Sequence, residues 1–207
     1  MKKGLVITWL AIVFSAIAVL FWRSEWIYSL PTPVPVNYTA VSTGQHIDLS
    51  SVAAELQPQA ASGYKKPVFL HFFNPDCPCS RFNIAHFKTL VKQYGQEVNF
   101  AIVVVANKKY TAGQIRDKFG LDHPIPVLSD SALARSCGVY STPQAVIIDT
   151  AQNLFYRGNY NRSRYCSDEK SSYAKIALDG LLHNDLAQTF SPFALKAYGC
   201  QLPTCNK

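Results

Sequence analysis

The 207-residue sequence has no dense run of lysine and arginine, no basic helix face and no internal repeat, and its acidic residues are few, thirteen against twenty basic ones. Without a basic run or stripe, nothing supplies the electrostatic footprint of a nucleic-acid binder. The missing repeat excludes solenoids and propellers. A disordered chain is excluded by the 48% hydrophobic composition, which suffices for one core of ordinary size and not for two. The formal charge of +7 falls to +4 once Lys2, Lys3 and Arg23 are set aside, leaving seventeen basic and thirteen acidic residues, a mild excess. No cofactor or resident metal is expected.

One long hydrophobic run is present. Gly4 to Trp22 is nineteen positions without a charge, long enough as a helix at ~1.5 Å per residue to cross a hydrocarbon layer. Lys2 and Lys3 precede it, and the positive-inside rule keeps them cytoplasmic while the rest of the chain is exported. A cleaved signal peptide is the alternative. The run exceeds the usual h-region, however, and the residues after it, Trp22-Arg23-Ser24-Glu25-Trp26, are bulky and charged where a small-x-small site would stand. The reading is a transmembrane anchor over 1–23 and a Pro-containing stalk over 24–45, semi-rigid at Pro31-Thr32-Pro33-Val34-Pro35. A globular domain over 46–190 and a Cys-containing tail over 191–207 follow. This makes a single-pass protein of a bacterial inner membrane, its N-terminus cytoplasmic and its domain in the periplasm. Six cysteines, Cys77, Cys79, Cys137, Cys166, Cys200 and Cys205, suit an oxidising compartment. They allow fifteen full pairings.

From Pro67 the chain alternates. Val68 to Phe73 is a short apolar run bounded by Pro and Asn-Pro, hence a buried strand. Ile84, Phe87, Leu90, Val91 and Tyr94 recur at helical spacing and predict a helix over Ser80 to Tyr94, ending near Gly95. Val98 to Ala106 reads as a second strand, and a helix around Gln114 to Phe119 closes at Gly120. Gln144 to Asp149 and Leu154 to Tyr160 are predicted strands joined closely enough for an antiparallel hairpin. A last helix carries Ala174, Ala177, Leu178, Leu181 and Leu182. The result is an α/β domain with a mixed central sheet between helical layers. His71 is expected in the core, His86 in solvent, and Cys137 buried as a small hydrophobe.

At the first strand-to-helix turn stands Phe72-Phe73-Asn74-Pro75-Asp76-Cys77-Pro78-Cys79-Ser80-Arg81. A thiol at a helix N-terminus sits beside unpaired N–H groups and the positive end of the helix dipole, which favour the nucleophilic thiolate. Phe-Phe-x-x-x-Cys-Pro-x-Ser resembles the active-site turn of thioredoxin-like redoxins, the alkyl hydroperoxide reductase and thiol-specific antioxidant group. The resemblance continues in Gly138-Val139-Tyr140-Ser141-Thr142-Pro143, similar to the loop whose proline is cis in that fold, and in Ile147-Ile148-Asp149, Tyr156-Arg157-Gly158 and Gly199-Cys200. It spans about Pro67 to Cys200. It implies a thioredoxin-like three-layer fold, Cys77 as the reactive thiol, and Thr142 and Pro143 facing it as the place where a substrate backbone pairs. The implied activity is thiol–disulfide exchange with the thiols and disulfides of exported proteins and a further redox partner.

Departures from that pattern leave choices. Ser80 stands where the family's second cysteine belongs, and Cys79 comes one residue earlier. Cys79 would close a tight Cys-x-Cys ring, easily reduced; otherwise Cys77 is resolved by substrate, by Cys166 or by Cys200. The structural alternative for the late cysteines is Cys200 with Cys205, or Cys166 with Cys200. Asp76 either opposes the thiolate by like charge or complements the helix dipole beside Pro78. Two other functions use the same residues. A thiol peroxidase would oxidise Cys77 to a sulfenic acid, but Leu70 and Asn74 occupy the places of that group's Pro and Thr/Ser. A Cu(I) chaperone would use the soft thiolates of Cys77 and Cys79.

Overall fold

The computed structural model describes residues 2–26, 29–56, 66–121, 125–162, 171–185 and 188–202. Helix α1 (Lys2–Phe21) runs on through a π-helical turn at Trp22–Trp26. The span Lys3–Trp26 is 24 residues long; its most apolar eighteen-residue stretch has mean hydropathy 2.5, and none of that stretch is buried against the protein. Leu5, Trp9, Phe14 and Leu20, spread round the helix, are all exposed. A helix of this length that is apolar all round has no aqueous face, and by length and composition it can cross a membrane.

The sheet explains the domain. Strand β1 (Val68–Phe73) lies at its centre, parallel to β2 (Asn99–Val104), which is parallel to β3 (Val127–Leu128). On the other side β1 pairs antiparallel with β5 (Gln144–Ile148), and β5 with β6 (Leu154–Gly158), giving the order β3-β2-β1-β5-β6. All six β1 residues are buried, as expected of a strand covered on both faces. Successive side chains alternate between faces. Phe69 and Phe73 pack with Ile84, Phe87 and Leu90, and with Ala177 and Leu178. Val68, Leu70 and Phe72 pack with Ile47, Leu49, Val52, Leu133 and Ala134. The first set brings α3 (Pro78–Tyr94) and α6 (Tyr173–Leu182) to one side; the second brings the short α2 (Ala53–Leu56) and α5 (Ser131–Ser136) to the other. A βαβ unit followed by an antiparallel hairpin and a helix, on one mixed sheet between helical layers, is the thioredoxin-like fold.

The local signals act as their chemistry dictates. α4 (Ala112–Phe119) starts on a capping box between Thr111 and Gln114 and stops at Gly120, whose φ of 58° is left-handed. α5, which the sequence reading did not foresee, is capped by Asp130, whose carboxylate accepts the N–H groups of Ala132 and Leu133. α3 begins at Pro78 instead of Ser80, because proline suits a first helical position whose N–H has no intrahelical partner. The strands stop short of the expected ends: Val104 instead of Ala106, Ile148 instead of Asp149, Gly158 instead of Tyr160.

Of the two histidines, one meets expectation and one departs from it. His71 is fully buried, as read, and shares a 2.6 Å hydrogen bond with the Tyr160 hydroxyl. His86 was expected in solvent and is instead 8% exposed, 2.8 Å from the hydroxyl of Ser172, the residue that caps α6. The start of α6 covers that flank of α3, which the helical period of α3 alone cannot show. Burial holds the His71 imidazole down to about 3, whereas an unfolded histidine titrates near 6.5. The unfolded chain therefore binds a proton first as pH falls. The contribution of His71 is complete above pH 6.5 and is lost progressively towards pH 3, with a slope of at most ~1.4 kcal/mol per pH unit. Denaturant unfolding across this range should show the decline, and the His71→Phe variant should show a shallower one; identical slopes would sink the assignment.

Candidate functional site

β1 delivers the chain to a turn that its own side chains tie. The Asn74 side-chain oxygen accepts the Asp76 N–H at 2.9 Å, and the Asn74 carbonyl accepts the Cys77 N–H at 3.1 Å. The buried Ser80 hydroxyl accepts the Asn74 N–H at 3.2 Å. Ser80, standing where a second cysteine belongs in the family pattern, thus fastens the turn to the first turn of α3. Cys77 is the residue that caps α3, with extended backbone, and Pro78 follows at the first helical position. The seventeen-residue helix directs its positive end at that sulfur. Asp76 turns outward, where its carboxylate accepts the Tyr110 hydroxyl at 2.6 Å.

Across from the turn, the Thr142–Pro143 peptide is cis, and the Thr142 carbonyl oxygen lies 3.8 Å from Cys77 Sγ. The strand β4 (Ser141–Thr142) pairs antiparallel with β7 (Cys200–Gln201), setting Thr142 opposite Cys200. Cys77 and Cys200 are joined in a disulfide across 123 residues, with Cα atoms 6.2 Å apart. Of the alternatives read for Cys200 from the sequence, the bond formed is the one with Cys77, as its resolving partner, and not the structural pairing with Cys166 or Cys205. Cys166 and Cys205 themselves lie outside the described residues. The reason is tertiary: α7 (Pro192–Leu195) returns the tail beside β6, where the Asn159 side chain donates to the Phe193 and Lys196 carbonyls.

Cys79, on the first turn of α3, is buried and outside any disulfide. Its sulfur and those of Cys77 and Cys200 all lie within 4.8 Å of one another. Three soft sulfurs at that spacing are a set suited to a cuprous ion, but two of them are used up by the bond in the oxidised state. Cys77 is only 2% exposed. A cavity of about 440 Å³ lies beside the disulfide, bordered by Cys79, Asn83, Pro143, Tyr198 and Gly199 and by Phe21 of the apolar helix, although Cys77 itself does not line it. Cys137 is of another kind. Burial pushes its thiol up to about 12, so it remains protonated and inert.

Residues outside the reactive turn also hold the site together. Thr32, in the segment read as a stalk, is buried against the domain; its N–H donates to the Ala197 carbonyl at 2.9 Å and its hydroxyl bonds Ser141 Oγ at 2.8 Å and the Gly199 carbonyl at 3.2 Å. Pro31 bridges to Tyr198. Arg157 fastens the loop before the cis-proline, donating to the carbonyls of Val41 and Cys137. Only a contact between chain regions over a hundred residues apart assigns Thr32 its place.

Comparison with known proteins agrees on architecture. The model of a family described as "Domain of unknown function (DUF6436)" matches residues 47–204. No curated protein matches the chain. Among solved structures, a hypothetical protein of Sinorhizobium meliloti 1021 superposes with a TM-score of 0.57 at 14% identity, over 80% of this chain and 96% of that one. An uncharacterized conserved protein of Geobacillus kaustophilus gives 0.57 at 18% identity, over 84% and 97%. A thiol:disulfide interchange protein of the thioredoxin family from Chlorobium tepidum TLS gives 0.45 at 20% identity, over 73% and 97%. At these identities the first two likenesses are likenesses of fold.

Proposed function

The chain belongs to the DUF6436 family, whose description assigns no activity, and we propose that it is a membrane-anchored thiol–disulfide oxidoreductase working through Cys77 and Cys200. One observation carries the reading: the cysteine at the head of α3 is bonded to a cysteine delivered by a separate strand beside the cis-proline loop. That is a dithiol pair at a helix N-terminus, the environment that makes a sulfur nucleophilic. Cys77 is the attacking thiol and Cys200 the resolving one. Thr142 and Pro143 form the wall against which a partner backbone lies. Asp76, Pro78 and Ser80 shape the turn.

The exchange balances without any further group. The Cys77 thiolate attacks one sulfur of a substrate disulfide, forming a mixed disulfide, and the other substrate sulfur leaves as a thiolate and takes a proton. The Cys200 thiolate then attacks Cys77 Sγ, the Cys77–Cys200 bond forms, and the first substrate sulfur departs. Two protein thiols and one substrate disulfide become one protein disulfide and two substrate thiols; the reverse oxidises a substrate. The apolar helix over Lys3–Trp26 supports an anchor, with the domain in the periplasm of a bacterial inner membrane and exported proteins as substrates. The test is to block resolution. The Cys200→Ser protein should accumulate mixed disulfides at Cys77 with protein partners, seen as reducible adducts that vanish when Cys77 is also replaced. Adducts of wild-type abundance in Cys200→Ser would overturn Cys200 as the resolving thiol.

A further inference from the structure

The tail does more than supply a sulfur. Residues 197–202 lie clamped between two strips of the same chain. On one side Pro31 bridges Tyr198, and Thr32 holds the Ala197 and Gly199 carbonyls. On the other, Ser141 and Thr142 pair with Gln201 and Cys200, and the Leu202 N–H donates to the Tyr140 carbonyl at 3.1 Å. In an extended segment alternate side chains share a face. Cys200 points to Cys77, and Leu202 on the same face is buried, 1% exposed, among Leu70, Val139 and Leu133 of the core beneath the sheet. Gly199 cannot carry a side chain here. Its φ is +139°, and a Cβ would collide with the Thr142 carbonyl oxygen, lie 2.9 Å from that carbonyl carbon and 3.3 Å from Pro143 Cδ.

Resting on the thiol-exchange reading above, we infer that the tail occupies the site's own polypeptide groove as a tethered substrate, and that the groove takes extended peptides of the form Gly-Cys-x-Leu. The disulfide to Cys200 has the connectivity of a mixed disulfide with a bound peptide: a sulfur on Cys77, and a backbone laddered on Thr142 and Tyr140. Whatever displaces the tail must satisfy the same three constraints. It offers backbone pairing to β4, no side chain before the cysteine, and an apolar side chain two residues after it. Main-chain pairing supplies affinity, and the alternate side-chain positions supply selection.

The test uses the full-length Cys200→Ser protein, reduced and in detergent. The probe is the hexapeptide Ala-Tyr-Gly-Cys-Gln-Leu, blocked at both ends and carrying its cysteine as the mixed disulfide with thionitrobenzoate, whose release is read by colour. Two further peptides have valine in place of the glycine, or aspartate in place of the leucine. A small aromatic disulfide, dithiobis(nitrobenzoate), serves as reference, and adducts are located by mass. The parent peptide should react at Cys77 faster than each altered peptide by about tenfold or more, while the small disulfide reacts regardless. Equal rates for the three peptides, with the small disulfide still attacked at Cys77, would overturn the groove and leave the exchange reading standing. No attack at Cys77 by any of the four would bring down that reading itself.

Discussion

Replacing Cys77 by serine is expected to lower the rate of exchange with a model protein disulfide by at least about a thousandfold, the equivalent of ~4 kcal/mol in barrier. Only the thiolate is a competent nucleophile in this chemistry. A serine hydroxyl at the same helix end stays protonated, and an oxygen–sulfur bond does not substitute for the disulfide. The buried Cys137 cannot stand in, since its thiol is held protonated. The described alternatives are Cys79, at the second position of α3, and Cys200, set free by the loss of its partner, and neither occupies the capping position at the head of the helix. The comparison needs care, because Cys77→Ser also removes a cross-link that closes a loop of 123 residues, worth ~4–5 kcal/mol in the chain-entropy account. Cys200→Ser removes the same cross-link and keeps the attacking sulfur. If stability were the cause, both variants would fail equally in a single-turnover assay. The expected result is that Cys200→Ser still forms its first mixed disulfide while Cys77→Ser forms none. Wild-type exchange in Cys77→Ser would end the assignment.

How far the sequence led depends on whether a signal was local. The thioredoxin-like architecture was legible, because β1 is a continuous apolar run, α3 keeps one apolar stripe, and the hairpin of β5 and β6 is joined by a short turn. The reactive turn was legible for the same reason: a cysteine followed by proline between a strand and a helix needs no distant partner to be recognised. Cys200 was visible only as one of several choices, since pairing is decided by where α7 and the tail return. His86 shows the same limit. Its helix marks it as polar and outward, and the cap of α6 then closes over it. Thr32 was least visible of all, a polar residue between prolines that gains its place by bonding Ser141 and the Gly199 carbonyl. Ser80 was noticed for the cysteine it replaces, whereas its hydroxyl closes the turn that presents Cys77.

The Gly199→Val variant should form the Cys77–Cys200 bond less readily, making the pair more oxidising. In the oxidised state Gly199 is pressed against the Thr142 carbonyl and Pro143 with φ at +139°, in a region that a β-branched residue avoids. Once the bond is reduced, nothing covalent holds Cys200 to Cys77, and a tail bearing valine can lift off and relax. The strain therefore weighs on the disulfide form alone. Backbone strain of this kind costs ~1–3 kcal/mol, and for a two-electron couple ~30 mV corresponds to 1.4 kcal/mol, so equilibration with a glutathione buffer should show a shift of ~20–60 mV. Gln201, one residue on, faces away from the sulfur, and Gln201→Val should leave the potential close to wild type. Faster alkylation of Cys77 in reduced Gly199→Val would show the groove vacated. Should the potential of Gly199→Val equal that of wild type, the tail is not held against Thr142 in solution, and its place in the groove is lost with it.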